Sequence, residues 1–159
     1  MTDKVKTQDE LIPILDRLKK QGKKVVFTNG CFDILHVGHV RYLKDAKGYG
    51  DILVVAVNSD SSVKSIKGAK RPIVSQSERA EVVAALEMVD YVTMFDEDTP
   101  YNIIKKLQPD VLIKGGDWTI DKIVGRDIVE ARGGRVIAIP FIEGASTTGI
   151  VERILEKYR

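Results

Sequence analysis

The chain has 159 residues, with 25 lysines and arginines against 23 aspartates and glutamates, so its formal net charge is only +2. This balance does not support an extended nucleic-acid-binding surface, although it leaves room for a local positive pocket. Hydrophobic residues make up 43% and charged residues 30%, which predicts a globular protein, and the length favours one domain over residues 1–159.

The cysteine count and the hydropathy pattern predict where the protein works. Cys31 is the one cysteine, which excludes an intramolecular disulfide. No stretch approaches the roughly 20 apolar residues that cross a membrane, and the opening MTDKVKTQDEL lacks the apolar core of a signal peptide. We therefore expect a cytoplasmic protein that binds neither membrane nor nucleic acid.

Helices and strands alternate along the chain. A first helix is predicted from about Asp9 to Gly22, since Pro13 then lies close to its first turn, and residues 1–22 are expected to pack on the rest of the domain. The later elements, in chain order, are a strand at 24–28, helix 38–49, strand 51–58, short helix 60–66, a helix opening at 75, strand 90–95, helix 100–107, strand 110–114, helix 121–131, strand 135–139 and a last helix from 146.

Three of these elements carry packing predictions. Residues 51–58, DILVVAVN, form a nearly continuous apolar run, which favours a strand covered on both faces. Ser75 and Glu78 predict a capping box that opens a helix. The apolar face of this helix is predicted to include Val82, Ala85, Leu86 and Val89. The apolar face of the last helix is predicted to comprise Ile150, Ile154 and Leu155.

The alternation predicts a Rossmann-like α/β fold, a doubly wound five-stranded parallel sheet with helices on both faces. In such sheets ligands bind beyond the carboxyl ends of the strands. This rule collects four segments in one place, namely the turn after the first strand and residues 58–60, 114–118 and 141–148.

Residues 25–47, VVFTNGCFDILHVGHVRYLKDAK, predict a phosphate site. A strand should end at the bend Asn29-Gly30, and a helix should begin near Gly38, with His36 and His39 on one face of its first turn. Unpaired amides and the helix dipole attract anions there, and each imidazole adds a donor that can be charged near neutral pH. From spacing alone, a metal pair or two surface histidines stay open; a zinc site would need Cys31 or carboxylates as well.

The same segment resembles the signature of the HxGH nucleotidyltransferase superfamily, and in particular its cytidylyltransferase-like family. That pattern, G-x-F-D-x-x-H-x-G-H, is matched by Gly30, Phe32, Asp33, His36, Gly38 and His39. The resemblance implies that both imidazoles contact a nucleoside triphosphate and that Gly38 leaves room for it. It implies no metal ligand in the protein.

Two further segments extend the resemblance. Lys67 and Arg79 match a lysine and an arginine that such proteins use around the phosphates, so with His36 and His39 they complete the implied catalytic set. Residues 143–148, EGASTT, resemble the second family signature, which binds the β- and γ-phosphates, although serine and threonine there also suit helix caps. Without the resemblance, Lys67, Lys70 and Arg71 form an ordinary solvated loop.

The remaining candidate residues divide between nucleotide and acceptor. Asp33 could instead satisfy turn amides, and Trp118 could be a core residue. The nucleotide set is Thr28, Asn29, Gly30, Cys31, Phe32, Gly38, Asn58, Asp60, Gly115, Ser146, Thr147 and Thr148, and the acceptor set is Asp33, Arg71, Lys114, Asp117 and Trp118.

The combined motifs, which include RPIVSQSER, LIKGGDW and EGASTT, look most like the adenylyltransferases of ADP-heptose synthesis. That resemblance implies transfer of AMP from ATP to D-glycero-D-manno-heptose 1-phosphate, Mg²⁺ bound mainly through the triphosphate, a homodimer, and a separate heptose kinase that supplies the sugar phosphate. The alternatives are a CTP-dependent glycerol-3-phosphate cytidylyltransferase, a non-catalytic nucleotide-binding module and a zinc-binding structural protein.

Overall fold

Five parallel strands form the sheet of this protein, whose computed structural model describes residues 3–159. The strands are β1 Val25–Gly30, β2 Ile52–Asn58, β3 Tyr91–Phe95, β4 Val111–Gly115 and β5 Arg135–Ile139. Their order in the sheet is β3-β2-β1-β4-β5, so the chain reverses direction across the sheet between β1 and β4. The predicted Rossmann-like fold is therefore confirmed, and a switch point for ligand binding lies beside β1.

Helices cover both faces of the sheet, as the apolar run in β2 predicted. They are α1 Gln8–Lys20, α2 Val37–Lys47, α3 Asp60–Lys67, α4 Gln76–Ala84, α5 Tyr101–Leu107, α6 Arg126–Ala131 and α7 Thr147–Tyr158, with a 3₁₀ turn at Ile120–Lys122. Leu43 of α2 and Val83 of α4 enter one buried cluster, while Leu15 of α1 and Ile104 of α5 enter the other. Each fully buried side chain of this kind contributes roughly 1.5–3 kcal/mol.

Strand β1 runs two residues further than predicted. Its parallel register with β2 continues from Val25 opposite Ile52 to Gly30 opposite Val57. The bend expected at Asn29-Gly30 does not form there because both residues pair with β2 in the parallel ladder. Asn29 and Gly30 consequently lie at the carboxyl end of the strand, directly before the loop that leads to α2.

Helix α1 begins earlier than predicted. Thr7 and Glu10 form a capping box, in which the Glu10 N–H donates to Thr7 Oγ1 at 3.1 Å and the Thr7 N–H donates to Glu10 Oε1 at 3.0 Å. Pro13 therefore lies inside the helix. Proline has no N–H to donate, so the carbonyl of Asp9 lacks its usual hydrogen bond within the helix. Asp9 and Pro13 are both exposed, so water can bond this carbonyl instead.

The predicted helix over residues 121–131 is wrong in its first half. The 3₁₀ turn Ile120–Lys122 and α6 are separated by Gly125, whose φ is +91°. A side chain at Gly125 would place Cβ 2.6 Å from Cδ1 of Ile104. The chain breaks here because packing against α5 requires a residue without Cβ in the left-handed region.

Helices α4 and α7 bury less than predicted. Ser75 Oγ bonds Glu78 Oε2 at 2.8 Å and caps no backbone amide, and α4 ends at Ala84, before three of the four residues assigned to its face. Val82 is 47% exposed. In α7, Ile154 and Leu155 are exposed because nothing among residues 3–159 covers them. No helix within this range is both long and apolar enough to span a membrane.

Candidate active site

A cavity of about 880 Å³ opens at the carboxyl end of the sheet, a size that suits a small-molecule ligand. It lies where the switch-point rule predicted. Most of the predicted site residues line it, namely Asn29, Gly30, Cys31, Phe32, His36, Gly38, His39, Asn58, Lys67, Lys114, Gly115, Trp118, Ser146, Thr147 and Thr148. The topology thus brings segments that are distant in the sequence to one site.

The two histidines of this cavity cap the amino terminus of α2. Their rings stack with centroids 3.8 Å apart and planes at 27°. The Gly38 N–H donates to His36 Nδ1 at 3.1 Å, and the His36 N–H donates to His39 Nδ1 at 3.3 Å. Two of the amides that were expected to be unpaired beside the histidines are therefore bonded to the imidazoles.

These backbone bonds also decide where each imidazole holds its proton. Because each Nδ1 accepts an N–H, a neutral ring carries its hydrogen on Nε2. Burial lowers the pKa of His36, and burial together with the nearby His36 and Lys67 lowers the pKa of His39 from 6.5 to about 4. At pH 7 in the free protein the rings are thus neutral Nε2–H donors, and the predicted charge on them is absent.

The glycines around the histidines make room for side chains of the protein. A Cβ on Gly38 would lie 2.8 Å from His36 Cε1 and 3.0 Å from the Ala145 methyl group. Likewise, a Cβ on Gly30 would lie 2.9 Å from the ring of Phe32, which packs at 5.1 Å against His39. A residue without Cβ is therefore required at position 38 so that the His36 ring and the Ala145 methyl group can pack there.

Arg79, predicted to contact phosphates, lies beneath the cavity and has no exposed side-chain surface. Its Nη1 donates to the carbonyls of Cys31 at 2.6 Å and Asn58 at 2.8 Å, and its Nε donates to Val74 O at 2.9 Å. Its Nη2 bonds Asp60 Oδ1 at 2.9 Å. The prediction of direct contact is contradicted because four hydrogen bonds hold the guanidinium inside the fold, where it ties the ends of β1 and β2 together.

Other predicted residues also lie outside the cavity lining. Thr28 is fully buried, and its hydroxyl pairs with Tyr42 OH at 2.5 Å. The buried carboxylate of Asp33 accepts the N–H groups of Ile73 and Val74 at 2.9 Å. Asp33 thus satisfies turn amides, which was its alternative interpretation.

The last three residues outside the lining are Asp60, Arg71 and Asp117. Asp60 is committed to Arg79, and Arg71 lies 3.7 Å from the Asp33 carboxylate. Asp117 is exposed. The structure brings none of the three to the cavity wall, since two are engaged in ion pairs beneath or beside it and the third is exposed to solvent.

Two lysines and a tryptophan line the cavity, and the sequence predicted one lysine as catalytic and the other lysine and the tryptophan as acceptor residues. Lys67 and Lys114 are the lysines, and burial lowers the pKa of Lys114. Lys114 Nζ lies 5.3 Å from the centroid of the Trp118 ring, a cation–π contact. Trp118 is 45% exposed, so the core interpretation of this tryptophan is wrong. Burial raises the pKa of Cys31, which is therefore a thiol at neutral pH.

Helix α7 directs a second amino terminus at the cavity. Ser146 Oγ accepts the Gly149 N–H at 2.9 Å, and Thr147 Oγ1 donates to the carbonyl of Ile34 at 3.2 Å. The capping interpretation of Ser146 is thus supported, while Thr147 ties α7 to the loop before His36. Two helix amino termini facing one cavity make it attractive to a polyanion.

No group of three or more His, Cys, Asp or Glu residues within 3–159 is arranged to hold a metal ion. Some of the cavity residues were not predicted from the sequence, among them Tyr42, Asp98 and Val124, and Phe141 was included only as the first residue of segment 141–148. Asp98 follows the carboxyl end of β3, so it could have been found by applying the strand-end rule to that strand as well.

Stacked imidazoles follow the first strand of a doubly wound sheet and face a cavity that two lysines and two helix amino termini line. These features define a nucleotide-binding α/β transferase site. The family model described as cytidylyltransferase-like matches residues 27–153. The chain belongs to the cytidylyltransferase-like family of nucleotidyltransferases, which confirms the resemblance inferred from the sequence.

Relatives agree with this membership. The chain is 57% identical over 155 residues to the "Bifunctional protein HldE" of Geobacter sulfurreducens, covering 98% of this chain and 32% of that protein. The HldE of Citrifermentans bemidjiense matches with the same identity and coverage. The chain thus spans about a third, 32%, of the length of these curated relatives. Among solved structures, the lipopolysaccharide core biosynthesis protein of Thermoplasma volcanium GSS1 matches with a TM-score of 0.63 and 29% identity, over 78% of this chain and 100% of that one.

Proposed function

We propose that residues 1–159 act as one nucleotidyltransferase unit that transfers AMP from ATP to D-glycero-D-manno-heptose 1-phosphate, giving ADP-heptose and pyrophosphate. The choice of substrates is supported mainly by the 57% identity to HldE over 98% of the chain. The word "bifunctional" and the coverage of about a third support a unit that is joined, in those relatives, to a second activity. The sequence resemblance implies that this activity is a heptose kinase, whose product would be the acceptor here.

The chemistry requires positioning more than proton transfer. An oxygen of the acceptor phosphate forms a bond to the α-phosphorus of ATP while the bond to the bridging oxygen breaks, and pyrophosphate leaves with that electron pair. Because the acceptor phosphate is already ionised at pH 7, no strong base is needed. The protein contributes by aligning two polyanions and by stabilising charge on the transferred group and the leaving group.

The described geometry supplies donors for this task. The Nε2–H groups of His36 and His39 are fixed as donors by the backbone bonds to each Nδ1. Lys67 and the amino terminus of α7 add positive potential in the same cavity. We propose that the imidazoles bind the triphosphate. Lys67 would stabilise the negative charge that develops between the acceptor and the leaving group. Trp118 and Lys114 are assigned to the acceptor.

We further propose that Mg²⁺ enters bound to ATP. Magnesium in such sites keeps several waters and contacts phosphates more than protein. Its chemistry would be the neutralisation of triphosphate charge. A cytoplasmic location follows from these substrates. A homodimer, supported by the resemblance, can be tested by sedimentation.

Pyrophosphate release, measured with Mg²⁺, tests the assignment. ATP, CTP, GTP and UTP are each combined with heptose 1-phosphate and with glycerol 3-phosphate. We expect release only with ATP and heptose 1-phosphate. Release with CTP and glycerol 3-phosphate would replace the proposed substrates by those of a cytidylyltransferase, and equilibrium binding of ATP without release in any combination would support a non-catalytic nucleotide-binding module.

A further inference from the structure

We propose that the Phe141 side chain is the surface on which the base of the bound nucleotide stacks. This inference rests on the proposed function only for the presence of a nucleoside triphosphate in the cavity. Phe141 lines the cavity and is 75% exposed, the largest exposure among the phenylalanines Phe27, Phe32, Phe95 and Phe141. An apolar ring open to water inside a ligand cavity becomes favourable when a flat ligand covers it.

The tip of the Phe141 ring lies beside a pair of glycines. A Cβ on Gly116 would lie 2.9 Å from Phe141 Cε2 and 3.1 Å from Cζ, and a Cβ on Gly115 would lie 3.6 Å from Cε1. All three ring atoms belong to the outer edge of the ring. The tip of Phe141 therefore lies beside the Gly115-Gly116 backbone, and its 75% exposure leaves most of the side-chain surface open to a ligand.

The loop that carries the ring is fixed to the glycine pair by the backbone. The Gly116 N–H donates to the carbonyl of Ile139 at 2.8 Å, and Gly115 pairs with Ile139 in the parallel register of β4 and β5. Gly116 has a φ of +113°, a conformation that glycine adopts without strain. A base stacked on Phe141 would consequently have its edge beside main-chain groups whose positions the sheet determines.

The other aromatic rings of the cavity are already engaged. Phe32 packs against His39, and the Tyr42 hydroxyl pairs with Thr28. Trp118 has the Lys114 ammonium 5.3 Å from its ring centroid. Among the phenylalanine, tyrosine and tryptophan side chains that line the cavity within residues 3–159, Phe141 is thus the one with no ring contact, cation contact or hydroxyl hydrogen bond to a neighbour.

The position of Phe141 also matches the length of a nucleotide. In the sheet, β4 lies between β1 and β5, and neighbouring strands lie about 4.8 Å apart, so the loop after β5 begins about 10 Å from the end of β1. His36 and His39 follow β1, at the phosphate end of the cavity. A base on Phe141 would therefore leave the ribose and the α-phosphate to bridge toward the imidazoles.

The test compares a ligand that has a base with one that lacks it. Affinities for ATP and for inorganic tripolyphosphate, both with Mg²⁺, are measured by calorimetry on the wild type, Phe141→Ala and Phe141→Trp. Because stacking of one base on an aromatic side chain accounts for about a tenfold to a hundredfold in affinity, we expect Phe141→Ala to lose about that factor for ATP and to bind tripolyphosphate as the wild type does. Phe141→Trp should stay within about threefold of the wild type for ATP.

Tyr158→Ala is the matched control, since Tyr158 is 85% exposed and lies outside the cavity lining; its ATP affinity should not change. The assignment would be overturned if Phe141→Ala lost affinity for ATP and for tripolyphosphate by the same factor, or if its affinity for ATP were unchanged. If the wild type prefers CTP to ATP, the proposed AMP transfer fails, and the same three proteins titrated with CTP then decide the role of the ring. Thermal melting of Phe141→Ala verifies that the variant is folded.

Discussion

The guanidinium of Arg79 donates to the carbonyl of Cys31 at 2.6 Å from beneath the cavity. Cys31 begins the loop that carries Phe32 and His36 and leads into α2 with His39, so the contact links a fully buried cation to residues that line the cavity. The same group bonds Asn58 O and Asp60 at the end of β2 and the start of α3. Arg79 is therefore a positioning residue that acts through the loop it holds.

Arg79→Ala should lower the free energy of unfolding by about 3 kcal/mol, because three carbonyls and the Asp60 carboxylate lose a buried donor. Urea unfolding measures this. Arg126→Ala is the control, since Arg126 pairs with Glu130 at an exposed site and should cost less than about 0.5 kcal/mol. A variant that keeps its full stability but loses turnover would restore the sequence-based prediction of direct phosphate contact.

His39→Ala should lower turnover by about 10²–10³, the usual cost of removing one donor to a developing negative charge. The fold should survive, although the His36 N–H loses its acceptor, at a cost of about 1 kcal/mol. Steady-state pyrophosphate release gives the rate. Val37→Ala offers the comparison, since Val37 lies in the same helical turn but is 51% exposed and outside the lining. Near-normal turnover in His39→Ala would remove His39 from the mechanism.

The stability of the protein should depend on pH through His39. Its pKa falls from 6.5 to about 4 in the folded protein, so between these values the unfolded chain binds a proton that the folded chain does not. Stability is thus present above about pH 6.5 and is lost as the pH falls toward 4. Because the ring is only partly buried, we expect a loss of about 1 kcal/mol between pH 7.5 and 5.

Denaturant titrations at both pH values, repeated on His39→Asn, isolate that contribution from the carboxylates. The difference between the two proteins should shrink as the pH falls, since the variant has no imidazole to protonate. A constant difference across this range would mean that the pKa of His39 is not lowered by folding.

Gly38→Ala should impair catalysis without unfolding the protein. The new methyl group would lie within 3.0 Å of the His36 ring and of Ala145, which forces the ring or the α7 loop to move, and a small displacement of a positioning group can cost about 10²-fold in rate. Gly48→Ala provides the control, because Gly48 has a helical φ of −62° and its Cβ would meet only Asp45 O, at 3.2 Å. Equal turnover in both variants would contradict the packing role of Gly38.

Much of the fold could be predicted from local pattern. The apolar run in β2 and the strand and helix alternation predict the sheet, and the strand-end rule collects His36, Lys114 and Ser146 at one cavity, whereas Lys67 was predicted from the family resemblance. What the pattern could not show is the direction in which a polar side chain points. Thr28 lies within β1 and Arg79 within α4, and the structure directs both side chains inward, where partners distant in sequence satisfy them.

Boundary errors have a similar cause. The helix breaks at Gly125 because Ile104 packs where a side chain would lie. Ile154 is exposed because no other part of residues 3–159 covers that side of α7. Neither fact is contained in the periodicity of its own segment. By contrast, the alternative interpretations of Asp33 and Ser146 could be written from sequence, because a carboxylate or hydroxyl beside a turn or a helix start needs only local amides.

The reciprocal bonds of His36 and His39 have a consequence for affinity. Each ring is already held by a backbone N–H and by its neighbour before any ligand arrives. Ordering a free side chain on binding costs about 0.5–1.5 kcal/mol in rotational entropy. Here that ordering takes place when the chain folds, so two donors meet an incoming triphosphate without further loss of conformational freedom.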